Sequence, residues 1–252
     1  MPIRHSRDDA GIADVVMDYP PVNALPVQGW LDLADTITEL GRDPLTRVVI
    51  LSAEGRGYNA GVDIKELQNA GPEALIGVNR GCFAAFAAVY DCEVPVIAAV
   101  HGFCLGGGIG LVGNADMIVA SDDATFGLPE VDRGALGAAT HLSRLAPQHK
   151  ARAMLYTSAT ATAAELHAFG SVLEVVPRDQ LQATARALAE SIAAKSPTVI
   201  RRAKESLNGI DPIDVKRSYR FEQGFTFELN LGGVADEARQ AFVDKRDAQF
   251  DQ

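Results

Sequence analysis

The stretch Val94-Pro-Val-Ile-Ala-Ala-Val-His-Gly-Phe-Cys-Leu-Gly-Gly-Gly-Ile-Gly110 sets the architecture. Its first part, Val94–Val100, is an unbroken apolar run of strand length, the pattern of a strand covered on both faces. His101–Gly108 is a glycine-rich turn, and Ile109–Asn114 begins a helix. A buried strand that turns on glycines into a helix is half of a βαβ unit. The pattern recurs around it. Ile12–Asp18 and Arg47–Ser52 read as strands, and Met117–Ala120 as a shorter one. Gln28–Leu40 has helical periodicity, ended by Gly41-Arg-Asp-Pro, and Glu73–Tyr90 is a second helix broken by Cys92-Glu-Val-Pro. The fold class is α/β.

From Pro147 onward the pattern turns helical: Ala163–Phe169, a strand at Ser171–Val176, then Gln180–Lys195. Ser196-Pro197 has the form of an N-cap followed by proline at the first helical position, opening Thr198–Leu207. Asp211–Leu231 and Ala235–Lys245 complete a helical tail. The expected organisation is an α/β core over residues 1–195 with a helical C-terminal subdomain over 196–252, one unit and not two independent domains.

The chain has 252 residues, with 23 Lys and Arg against 33 Asp and Glu, a net charge of −10. No basic run supplies the footprint of a nucleic-acid binder. The three cysteines, Cys82, Cys92 and Cys104, form no metal pattern and sit in apolar neighbourhoods, which reads as buried free thiols and no metal site. No apolar stretch reaches the roughly 18 residues of a membrane span. These features lead to the expectation of a cytoplasmic protein without a membrane or nucleic-acid partner.

Two loops carry the chemistry. Ala53-Glu-Gly-Arg-Gly-Tyr-Asn-Ala-Gly-Val-Asp-Ile-Lys-Glu66 follows a strand and is dense in glycine, so its backbone can approach a ligand and aim N–H groups outward. His101–Gly110 does the same where a helix begins, a setting that suits an anion or a developing oxyanion. Either loop alone could be a tight turn; two of them, each after a core strand, point to a site.

Together with further segments these loops resemble the crotonase (enoyl-CoA hydratase/isomerase) superfamily. The matching signatures run in order along the chain: Asp18-Tyr-Pro-Pro-Val-Asn-Ala-Leu25, Ala60-Gly-Val-Asp-Ile64, Pro95–Gly102, Gly106-Gly-Gly108, Asp116, Phe126-Gly-Leu-Pro-Glu-Val131 and Ala241-Phe-Val-Asp-Lys-Arg246. The resemblance implies a crotonase-type spiral of βαβ units, assembly as a homotrimer or dimer of trimers, and acyl-CoA thioester substrates. It implies no cofactor, CoA being part of the substrate. It places an oxyanion hole at the backbone N–H groups of Val62 and Gly107, and contacts to adenine and pantetheine at Ala24, Ala60, Asp63 and Ile64. Phe242 and Lys245 match residues that reach the nucleotide, which makes the tail a trimerisation and CoA-contact region.

One departure is informative. Hydratases of this family hold water between two glutamates, and here the first of those positions is Gly110, leaving Glu130. One carboxylate cannot divide acid and base duties as two can. The resemblance makes Glu130 catalytic, against the alternative of a carboxylate that caps its turn. His141 stands where hydratases carry glycine; it is a catalytic candidate, because imidazole titrates near neutrality, or a structural histidine. His101 is expected to shape the glycine loop. The segment Tyr219-Arg-Phe-Glu222-Gln-Gly-Phe225-Thr-Phe227 reads as core and trimer packing by its phenylalanines; the alternative is a wall of the acyl pocket with Glu222 as a second acid. With Asn79-Arg-Gly-Cys-Phe-Ala-Ala-Phe86 and Glu222–Asn230, the set looks most like CoA-ester hydrolases that open carbocyclic rings in steroid breakdown. That implies a bicyclic indane-type keto-acyl-CoA and retro-Claisen C–C hydrolysis. A double-bond isomerase with a single glutamate and a non-catalytic acyl-CoA binder are the alternatives.

Overall fold

The computed structural model describes residues 2–68 and 72–249. An antiparallel pair, β1 (Ile3–Arg7) and β2 (Ile12–Met17), starts the chain, and helix α1 (Val27–Arg42) crosses to β3 (Val48–Ala53), parallel to β2. A glycine-rich loop, α2 (Ile64–Gln68) and α3 (Pro72–Asp91) lead to β4 (Val96–Val100), parallel to β3. After β5 (Phe103–Leu105) and α4 (Gly107–Val112) comes β6 (Met117–Ser121), parallel to β4. β7 (Thr125–Gly127), α5 (Ala139–Leu145), α6 (Gln148–Thr157), β8 (Ala161–Thr162) and α7 (Ala163–Ala168) precede β9 (Glu174–Val176), which joins β6 in parallel. Four helices follow: α8 (Leu181–Ala193), α9 (Pro197–Ile210), α10 (Val215–Leu231) and α11 (Val234–Asp244). The main sheet runs β1-β2-β3-β4-β6-β9, and a small one runs β5-β7-β8.

The apolar runs of β3 and β4 are explained by helices on both faces. Val49, Leu51, Val96 and Ala98 join Leu33 and Ile37 of α1 and Val89 of α3 in one cluster. Val48, Ile50, Ile97 and Ala99 point the other way and pack on Leu181, Ala185 and Ala189 of α8. Alternate residues of each strand thus serve opposite layers. Asp116 ties the far end of this core together: it accepts from the Val96 backbone N–H at 2.7 Å and from Nζ of the buried Lys204 of α9 at 2.7 Å.

Several elements depart from the sequence expectation. β1 is absent from it because only Ile3 of its five residues is buried, so the edge strand shows no apolar alternation. The small sheet is built of strands two or three residues long, too short for a periodic signal. Helix α4 begins at Gly107, two residues before Ile109, and β5 lies inside what reads as one continuous turn. Ser196 stands at the N-cap of α9 but makes no side-chain cap bond. The aromatic segment is also corrected: Phe221 is 72% exposed and Phe225 40%, so they are not core residues of the chain. The inward residues of α10 are Val215, Tyr219, Glu222, Gln223 and Thr226. Among the described residues no helix is long and apolar enough to cross a membrane, and no group of side chains could hold a metal ion. The three cysteines are free and buried.

Candidate active site

The loop after β3 is held in place by two asparagines. Asn23 Nδ2 donates to the carbonyls of Glu54 (2.7 Å) and Gly57 (2.9 Å). Asn59 Nδ2 donates to the Asn23 carbonyl at 2.7 Å, and Asn59 Oδ1 accepts from the Gly61 N–H at 2.8 Å. Leu25 then pairs with the loop through Leu25 N to Gly61 O and Asp63 N to Leu25 O, both 3.0 Å. Because successive peptide groups point to opposite sides, that pairing turns the Val62 N–H away from Leu25. On the other side lies Gly107, the first residue of α4, whose N–H has no acceptor within its own helix. Gly61 has φ +88°, and a Cβ there would sit 3.2 Å from Gly107 N, so the two turns meet at a point only glycine allows. His101 supports the first loop through Nε2, 3.2 Å from the Gly55 carbonyl.

Glu130 enters from the turn after β7. It does not cap that turn: its side chain makes no cap bond, and Oε2 is buried without a partner. A Cβ on Gly106 would lie 2.6 Å from Glu130 Oε1, so the carboxyl rests directly on the glycine turn. Burial pushes this carboxyl up to about 8; its own backbone N–H and Arg133 oppose the shift, and Glu222 adds to it.

These groups line one cleft of about 340 Å³, closed on the other side by Val78, Asn79, Cys82 and Phe86 of α3 and Tyr219 of α10. Of the residues expected from the sequence, Ala24, Ala60, Val62, Asp63, Ile64, Gly107, Glu130 and Phe242 all line it. Two do not. Lys245 lies outside, at the left-handed C-cap of α11. The cations on the wall are instead Lys65, Arg239 and Arg133, whose guanidinium stacks 4.4 Å over the Phe242 ring. His141 is 1% exposed and lies behind the wall, its ring packed against Phe86 and Tyr219 at 5.1 Å each. Neither ring nitrogen has a partner, and burial, reinforced by Arg144, pushes the imidazole down to about 3.

Two further placements bear on the chemistry. A Cβ on Gly110 would overlap the Phe86 ring, so an aromatic ring from α3 fills the space a side chain at 110 would enter. Glu222 is not on the cleft wall. Its carboxylate accepts from Ala139 N at 2.9 and 3.1 Å and from Thr140 N at 3.5 Å, at the start of α5. Burial pushes it up to about 7 against those two N–H groups. With Thr226, whose hydroxyl pairs with Leu136, it pins the segment Ala135–Ala138 that lines the cleft. Arg133 carries no signal in the sequence; Asn79, Phe86 and Tyr219 stand in segments that the sequence singles out without a role of their own, and the helical spacing of Asn79, Cys82 and Phe86 shows that they share a face, but not what that face meets.

Residues 7–252 match the enoyl-CoA hydratase/isomerase family. A relative from Rhodococcus jostii (strain RHA1) is 66% identical over 245 residues, 97% of this chain and 95% of that protein. It is named (7aS)-7a-methyl-1,5-dioxo-2,3,5,6,7,7a-hexahydro-1H-indene-carboxyl-CoA hydrolase. A protein of the same name from Mycobacterium tuberculosis (strain ATCC 25618 / H37Rv) is 66% identical over 246 residues, 97% of this chain and 100% of its own length. Among solved structures, an enoyl-CoA hydratase/isomerase from Pseudoalteromonas atlantica T6c is 25% identical, with a TM-score of 0.89 and full coverage of both chains.

Proposed function

The chain belongs to the enoyl-CoA hydratase/isomerase family, and from that premise we propose that it is an acyl-CoA hydrolase that opens a carbocyclic ring of a bicyclic, indane-type keto-acyl-CoA in steroid-ring breakdown. The observation that carries this reading is that Glu130 has no partner carboxylate at position 110. Its carboxyl is withdrawn from water beside the glycine turn, and the place of a second carboxylate at Gly110 is occupied by the Phe86 ring. The full-length likeness to two indene-carboxyl-CoA hydrolases supports the substrate class.

A single base suffices for C–C hydrolysis when the leaving carbon is itself stabilised. Glu130 takes a proton from water as the oxygen adds to a ring ketone. The bond from that carbonyl carbon to the ring then breaks, and its electron pair passes to a carbon conjugated with the thioester. The thioester oxygen becomes an enolate, held by the N–H groups of Val62 and Gly107; preorganised donors of this kind are worth about 3 kcal/mol each. Glu130 returns its proton to that carbon, and the former ketone carbon stays on the opened chain as a carboxylic acid, which ionises to carboxylate by releasing its proton to water. His141, behind Phe86 and Tyr219, has no part in this scheme.

CoA enters as part of the substrate, its pantetheine along Ala24, Ala60, Asp63 and Ile64, and its phosphates toward Lys65, Arg133 and Arg239 beside Phe242. Local cations let a chain of net charge −10 hold a polyanion. Assembly as a homotrimer or dimer of trimers accords with the resemblance and with the exposed apolar side chains Phe221, Phe225 and Leu231 of α10. Three buried free thiols accord with a reducing, cytoplasmic setting.

Turnover of a cyclic β-keto acyl-CoA in ¹⁸O-water tests the reaction. Hydrolysis puts label into a new carboxylate. A moved double bond without label makes the protein an isomerase, and binding without turnover makes it an acyl-CoA carrier; either result overturns the proposal.

A further inference from the structure

Among the described residues, two of those that line the cleft carry a buried side-chain polar atom without a partner: Glu130, at Oε2, and Asn79, at Nδ2. The first is an acceptor, as a base must be. The second is a donor, and it comes from the opposite wall. Asn79 is 7% exposed, on the α3 face that also presents Cys82 and Phe86. A buried amide N–H without an acceptor forfeits the free energy of a lost hydrogen bond, so its persistence points to an acceptor that arrives with the ligand.

The surroundings fix the backbone that carries this amide. Gln223 of α10 donates through Nε2 to the Asn79 backbone carbonyl at 2.8 Å. Gln223 is itself held by Arg220, whose Nη1 donates to Gln223 Oε1 at 3.0 Å while its guanidinium stacks 3.7 Å over the Phe83 ring. Two segments far apart in sequence, Asn79–Phe86 and Glu222–Asn230, thus meet at this point of the wall. Around the amide the wall is apolar or thiol: Leu75, Val78, Cys82 and Phe86.

Resting on the reading that the acyl group is a bicyclic ring ketone, and on the two oxo groups in the name of both relatives, we propose that the Asn79 side-chain amide donates a hydrogen bond to a ring ketone oxygen and thereby selects keto-acyl groups over plain hydrocarbon ones. The thioester oxygen is served by Val62 and Gly107. A ring ketone is an acceptor only and, buried in the apolar part of the cleft, needs a donor that Glu130 as a base does not supply. A site built around such a bond rejects analogues that lack the acceptor, because its own donor is then left unpaired.

The experiment compares wild type with Asn79→Leu, similar in size without a donor, and Asn79→Asp, similar in shape with an acceptor in the donor's place. The diketo bicyclic-CoA is the substrate, and free CoA is the binding probe. We expect kcat/KM to fall about 10- to 100-fold in both variants, the loss of a buried hydrogen bond to substrate, with CoA affinity unchanged. A loss carried by KM identifies the ketone that survives the reaction as the acceptor; a loss carried by kcat identifies the ketone under attack. Should Asn79→Leu fail to fold, Asn79→Asp is read alone. Either folded variant with kcat/KM within about twofold of wild type overturns the proposal. A wild type that hydrolyses no cyclic keto-acyl-CoA overturns the proposed function itself, which is a separate result.

Discussion

The two walls of the cleft are built by different means. One is made of backbone. The turns at Gly61 and Gly106-Gly107 expose peptide N–H groups, and asparagine side chains lock the loop behind them. The other wall is made of side chains from α3 and α10: Asn79, Cys82, Phe86 and Tyr219. The backbone wall presents the same N–H groups whatever side chains flank it, so it suits the feature every CoA thioester shares, the carbonyl oxygen. The helical wall changes with every residue, so it suits the part of the substrate that differs, the acyl group. Between them sits Glu130, attached to the backbone side and facing the helices.

The largest expected effect tests the junction of the two walls. Glu130→Gln should keep CoA affinity and lower turnover by about 10²- to 10⁴-fold, the range of general-base contributions. In the wild type, kcat/KM should climb as pH rises through about 8, because the base must lose the proton that burial makes it hold. Wild-type activity retained in Glu130→Gln, or a flat profile between pH 6 and 9, would remove the base from the carboxyl.

Next comes the contact that sets the helical wall against the glycine turn. Gly110→Ala pushes a methyl into the Phe86 ring and should destabilise the fold by about 1–3 kcal/mol, an overpacking cost. Chemical denaturation measures it. Gly110→Ala combined with Phe86→Leu should recover part of the loss; an unchanged midpoint in Gly110→Ala would mean that the ring does not hold that space.

The smallest effect concerns what lies behind the helical wall. The folded-state pKa of His141, about 3, is below the ordinary 6.5, so between these values the unfolded chain binds the extra proton. The neutral ring's stability is present above pH 6.5 and is lost as pH falls toward 3. His141→Leu should therefore raise the melting temperature at pH 5 relative to that at pH 7.5, compared with the same difference in wild type, with turnover at pH 7.5 within about twofold of wild type. Glu130 and Glu222, raised to about 8 and about 7, push the other way, with stability falling as pH rises from 4.5; both remain in the variant, so the difference isolates His141. A tenfold or greater fall in turnover would return the imidazole to the reaction.

The same contrast governs what was legible in the sequence. The glycines of the backbone wall announce themselves, because a tight turn or a close approach of two chains excludes a Cβ; Gly61 and Gly107 meet as such a pair. The place of Glu130 on the cleft agrees with the resemblance carried by Phe126-Gly-Leu-Pro-Glu-Val131. The place of His141 was not legible: the titration range of an imidazole marks it as a candidate, and only packing shows that Phe86 and Tyr219 stand in front of it. In place of Lys245 the cations on the wall are Lys65, from the first glycine-rich loop, and Arg133 and Arg239, which no quoted motif includes. Glu222 reads as a second acid or an aromatic segment's neighbour, and is a brace that holds the start of α5.

By itself the sequence determined the α/β class, the order of the principal strands and helices, and the two glycine-rich turns, because these follow from local periodicity and from where glycine is required. Tertiary structure alone decided which helical faces meet across the cleft, which polar atoms stay unpaired there and which histidine is walled off. Those are questions of contact between residues far apart in sequence, as between Asn79 and Gln223, and local pattern carries no information about what a face will meet.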